Sequence, residues 1–109
     1  MATLATVPLT IEPDAAARVA ELGMQGDLQK MIEHTRQSVP DLQNIRVVLE
    51  PPYDTGDEPY LTIYSTRRVG YNGDDPTQRE WGRWLVTNFS PDVCRHFAML
   101  VIYGNADAG

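Results

Sequence analysis

The sequence predicts an α+β fold, a sheet of three or four strands with helices packed on one face. Three observations lead there. In DLQKMIEHTRQSVP, residues 27 to 40, Leu28, Met31, Ile32, Thr35 and Val39 recur at the spacing of one helical face. IRVVLE at 45 to 50 and YLTIYST at 60 to 66 carry apolar residues at period two, as half-buried strands do. FAMLVIY at 97 to 103 is apolar throughout, the composition of a strand covered on both faces.

Taken in order, LATVPLTI at 4 to 11 sets Val7, Leu9 and Ile11 at period two. Pro8 removes a backbone donor, so residues 1 to 11 are expected to form an edge strand or a flexible lead-in. In EPDAAARVAELG, Pro13 suits a first helical turn, Asp14 complements the helix dipole and Gly23 suits the position after the last turn. Ala16, Val19, Ala20 and Met24 form its apolar stripe. Asp27 reads as the N-cap of the next helix, which Pro40 ends. The stretch from Gly23 to Gly26 either separates two helices or breaks one.

Ile45, Val47 and Leu49 share one face of the first long strand. In the second, Leu61 and Ile63 point one way and Tyr60, Thr62 and Tyr64 the other. Asp75, Pro76 and Gln78 then supply the elements of a capping box for TQREWGRWLVTNF. That helix presents Trp81, Trp84, Leu85 and Asn88 on one face. Ser90 opens a short turn, and residues 104 to 109 read as a frayed tail.

If residues 6 to 11 pair, the order is β-α-β-β-α-β, that of a split β-α-β (ferredoxin-like) sheet. Two right-handed crossovers would then put the helices on one face and the last strand in the sheet's interior. If they do not pair, a three-stranded sheet remains.

The 109 residues are expected to form a single domain, 1 to 109. The 42% hydrophobic and 22% charged fractions are those of a globular chain, not a disordered one. A net charge of −6 disfavours nucleic acid, whose backbone requires clustered Lys and Arg. Cys94 is the one cysteine, so no internal disulfide forms and a reducing compartment is expected. MATLATVPLT has no basic, apolar signal pattern. No stretch reaches the roughly 18 apolar residues of a membrane span. The expected location is cytoplasmic, with no membrane.

Two segments stand out as interaction surfaces. PPYDTGDEP carries Asp54, Asp57 and Glu58 between the long strands. Their spacing is not that of a calcium loop, and a solvated tip does not desolvate a catalytic carboxylate. The stretch is a polar connection or an acidic docking loop for a basic partner. Arg67 and Arg68 follow the second long strand, and Arg79 and Arg83 lie one turn apart on the next helix. Together they can form a basic patch, with Tyr60 and Tyr64 adding aromatic surface. The competing reading pairs Arg79 with Asp74 and Asp75 and leaves Arg67 and Arg68 as ordinary edge charges. No Gly-aromatic RNA-binding segment is present.

Cys94 and His96 face the same way only if extended, and no Gly-rich oxyanion segment lies nearby. A buried thiol and a structural histidine are the plainer reading. His34 reads as a solvated residue on the polar side of its helix. No catalytic set, cofactor motif or metal-ligand spacing emerges.

Residues 37 to 103 resemble a loose group of small, mostly uncharacterised bacterial proteins. The likeness rests on QSVPDLQ, IRVVLE, the acidic turn PPYDTGDEP, YLTIYST, the aromatic helix REWGRWLV and a final strand. The Gly-containing loop at 69 to 76 departs from that pattern. Some members look like companions of toxin–antitoxin modules, which implies an antitoxin-like or accessory subunit. The expected function is a non-enzymatic protein-interaction module with a protein partner or self-association. The alternatives are a homodimer on an edge strand with a small-ligand cleft, or a small enzyme using Cys94 and His96.

Overall fold

A computed structural model describes residues 7–51, 58–70 and 75–104. Its elements are β1 (Leu9–Ile11), α1 (Pro13–Leu22), α2 (Gln25–Ser38), β2 (Leu42–Glu50), β3 (Tyr60–Arg67), α3 (Thr77–Asn88), α4 (Pro91–Cys94) and β4 (Phe97–Tyr103). The α+β fold is as the sequence predicts. Residues 1 to 6 and the tail from 105 lie outside the described residues.

The sheet order is β1-β2-β3-β4, with β1 parallel to β2, β2 antiparallel to β3, and β3 parallel to β4. The split β-α-β arrangement is therefore corrected. Each parallel pair is adjacent, with no strand inserted between its members. The four-stranded alternative holds, and β4 lies at an edge rather than inside the sheet.

Helices α1, α2 and α3 share one sheet face. Ala15 and Val19 of α1, Leu28, Met31 and Ile32 of α2, and Trp81 and Leu85 of α3 join one core with Ile45, Val47, Leu61, Ile63, Phe97 and Met99. On α1 the buried alanine is Ala15, whereas Ala16 and Ala20 are exposed. This arrangement has a chiral consequence. Both parallel pairs step in the same direction across the sheet, but their strands run oppositely. With helices on one face, the two crossovers wind with opposite hands. One of them therefore breaks the right-handed rule, and two right-handed crossovers would have placed helices on both faces.

Local chemistry sets the boundaries. Gly23 adopts φ 69°, donates to the Ala20 carbonyl at 3.1 Å, and Met24 donates to Val19 at 3.0 Å. This is a Schellman ending, which makes α1 and α2 two helices. α2 starts at Gln25, before the expected cap Asp27. Asp41 takes φ 54° in the turn after Pro40, a conformation aspartate tolerates better than most residues. The N-cap position of α3 falls on Pro76 rather than on the expected Asp75; Asp75, one residue earlier, accepts the Thr77 N–H at Oδ1 at 3.0 Å from just outside the helix. Gln78 does not close the box. Its Oε1 instead accepts the Val101 N–H of β4 at 2.9 Å.

Two buried hydroxyls under the helices contrast. Thr35 Oγ1 donates to the Met31 carbonyl at 2.7 Å and accepts from Trp81 Nε1 at 2.9 Å, pinning α2 to α3. Ser65 Oγ is buried with no hydrogen-bond partner among the described residues. An unpartnered buried hydroxyl carries a desolvation cost of about 1–3 kcal/mol. Ser65→Ala is therefore expected to leave stability unchanged or raise it, measured by urea unfolding.

Candidate interaction surface

Strand alternation divides the sheet into a covered and an open face. Arg46, Val48 and Glu50 of β2, Tyr64 and Thr66 of β3, and Ile102 of β4 line a shallow pocket on the open face. Tyr60 and Thr62 fall on that face by alternation, as do Ala98 and Leu100. Tyr64 donates its hydroxyl to Glu50 Oε2 at 3.0 Å, which orients the ring along β2. Thr62 is buried beneath its neighbours, while Leu100 and Ile102 stay 40% and 43% exposed. The result is an apolar and aromatic stripe running from Val48 to the β4 edge.

The expected arginine patch is dispersed. Arg67 is internal: its side chain is 12% exposed and that of its partner Asp75 only 7%. Arg67 Nη1 donates to Asp75 Oδ2, its Nε donates to the Pro40 carbonyl at 2.9 Å, and its Nη2 lies 3.6 Å from Asp41. Tyr103 donates its hydroxyl to Asp75 Oδ2 at 2.6 Å, and the Arg67 guanidinium lies 6.0 Å from the Tyr103 ring centroid. Burial pushes the Asp75 pKa up, but hydrogen bonds from Thr77, Tyr103 and Arg67 outweigh it. They hold the carboxylate well below the usual range. Asp75 thus pairs with Arg67 rather than Arg79, and the cluster ties the ends of β3 and β4 to the start of α3.

Arg68 is exposed beside Arg46, Pro8, Thr10 and Asn44, near the start of β2. Arg79 and Arg83 are exposed on α3, with no ion-pair partner among the described residues. Glu58 bridges Arg18 of α1 at 3.3 Å and Arg95 at 3.9 Å, which ties that end of the acidic turn to the helical side. These pairs are solvated and worth little individually. Asp54 and Asp57 lie outside the described residues.

Cys94 is half-buried, and its Sγ lies 3.6 Å from the carbonyls of both Leu85 and Phe89. His96 is buried at the foot of β4. Among the described residues no group of three His, Cys, Asp or Glu is placed to hold a metal. No described helix is long and apolar enough to cross a membrane.

His34 is not a free surface residue. Its ring stacks on Trp84 at 3.8 Å and 3°, and burial lowers its pKa. Trp84 meets Trp81 at 5.8 Å and Phe89 edge-on at 5.4 Å. The helical spacing of Trp81 and Trp84 shows their shared face, but the partner ring from α2 has no sequence signature. A second concavity, about 420 Å³, lies between β1 and the helices, lined by Leu9, Ile11, Val19, Leu28 and Ile32 with Arg36 at its rim. Comparison with protein-family models, curated proteins and solved structures finds no match to this chain.

Proposed function

We propose that the protein is a non-enzymatic interaction module that binds a partner protein through the open face of its sheet. One observation carries this reading. Every long helix packs on one face, leaving Val48, Tyr64, Leu100 and Ile102 together on the other. Aromatic residues around an apolar stripe are the composition of an interface core. The chain's charge of −6 suits a partner with a basic rim, because opposite fields steer association. An acidic, antitoxin-like subunit shielding a basic protein surface fits that pattern, as does the likeness to small toxin-companion proteins.

The test is affinity purification of the tagged protein from its native cells at low salt. A stoichiometric protein partner is expected to accompany the natural chain and to be released as salt rises. Val48→Glu puts a charge at the β2 end of the stripe and is expected to abolish capture while leaving the circular dichroism spectrum unchanged. Recovery of the natural chain without any such partner would overturn the reading. The groove beside β1 favours the second reading, a small-ligand-binding domain, since its size is that of a ligand pocket.

A further inference from the structure

We infer that the outer edge of β4 pairs with β4 of a second copy of this chain, antiparallel about a two-fold axis at Leu100. The inference goes beyond the face contact proposed above, because it concerns backbone groups at the sheet's edge.

Backbone direction comes first. Leu61 donates its N–H to the His96 carbonyl at 2.8 Å, and Gly104 donates to the Arg67 carbonyl at 2.9 Å. Residues 96 to 104 of even number therefore turn their backbone groups toward β3. Phe97, Met99, Val101 and Tyr103 turn theirs outward. The Val101 N–H confirms this independently, since it reaches past the sheet to Gln78 Oε1 at 2.9 Å. Gln78 is exposed and covers that one donor.

Natural edges are blunted by charge, proline or shortness. The opposite edge follows that rule, since β1 has 3 residues and Pro8 precedes it. β4 does not: its 7 residues include no charge and no proline.

The occupant follows from charge and register. Two chains of −6 repel one another over most of their surfaces. β4 is a stretch where they meet without opposing like charges. An axis at Leu100 aligns every outward residue with an outward residue, Met99 with the second copy's Val101 and Phe97 with the second copy's Tyr103. The whole strand is then used. On the open face Leu100 meets its own copy and Ile102 meets the second copy's Ala98, which covers the two exposed hydrophobics. Gln78 swings away, and the second copy's Met99 carbonyl takes the Val101 N–H. The two sheets become one, with a shared open face of twice the width.

Sedimentation equilibrium and amide hydrogen exchange across protein concentration test this. The natural chain is expected to dimerise, and the Phe97 and Met99 amides to slow in step with dimer formation. Leu100→Lys opposes two charges at the axis and is expected to give a monomer with an unchanged spectrum, since the site is solvent-exposed in one chain. Gln78→Ala removes the competing acceptor in both copies and is expected to tighten the dimer about 25-fold, the worth of one hydrogen bond at each of the two symmetry-related sites. A natural chain that stays monomeric up to its solubility limit overturns the inference. So does a dimer whose Phe97 and Met99 amides exchange as fast as in dilute solution, because that contact would be face to face. Val48→Glu, on β2 and away from this edge, separates the two readings: it is expected to keep the dimer while losing a heterologous partner.

Discussion

Asp75→Asn is expected to lower stability by about 3 kcal/mol, the scale for removing one member of a buried ion pair. The amide still offers an oxygen to the Thr77 N–H, but the charge facing Arg67 is gone. Arg67 keeps the Pro40 carbonyl at 2.9 Å and Asp41 at 3.6 Å, which limits the damage. The pH dependence gives a second readout. The Asp75 pKa in the folded protein lies below its ordinary value, so the unfolded chain binds the proton more readily. Its stabilisation is therefore fully present above the ordinary carboxylate pKa of about 4 and is lost as pH falls through the folded value. Urea midpoints between strongly acid and neutral pH should rise and then level off for the natural chain, and rise less for Asp75→Asn. Equal slopes would show that water screens the cluster.

Trp81→Ala is expected to cost about 4 kcal/mol, the usual scale for emptying a buried tryptophan site. Trp81 is 2% exposed and links α3 to α2. Its ring meets Trp84, and its Nε1 is held by Thr35. The two ends of that hydrogen bond are not equivalent. Losing the indole leaves Thr35 bonded to the Met31 carbonyl, whereas Thr35→Val leaves the indole N–H buried and unpartnered. Thr35→Val is thus expected to cost about 1–3 kcal/mol although its shape is conserved. Guanidinium unfolding of both single variants and the double variant measures the coupling. Additive losses would mean that the Thr35 bond contributes nothing.

The local elements were legible because each follows from neighbours in sequence. The α2 stripe gave its buried residues Leu28, Met31, Ile32 and Thr35, and alternation in β3 separated Leu61 and Ile63 from Tyr60 and Tyr64. Strand order was not legible, because edges of similar composition compete and no residue marks the choice. β4 misled for a specific reason: its apolar run is covered on one face only, and Leu100 and Ile102 remain exposed. Capping chemistry pointed to Asp75 but not to Tyr103, which lies 28 positions away. The arginines were grouped by their closeness in sequence. Folding separated them, because Arg67 turned inward to the cap while Arg79 and Arg83 stayed on the outer side of α3.

The opposed hands of the two crossovers bear on the chain's ancestry. Each half is a βαβ unit, and the pair invites an origin by tandem duplication. Copies of one unit share one hand, and joining them through an antiparallel hairpin would send their helices to opposite sides of the sheet. Here the helices share a side, so no rotation superposes one half on the other. Tandem duplication of one βαβ unit does not by itself produce this sheet.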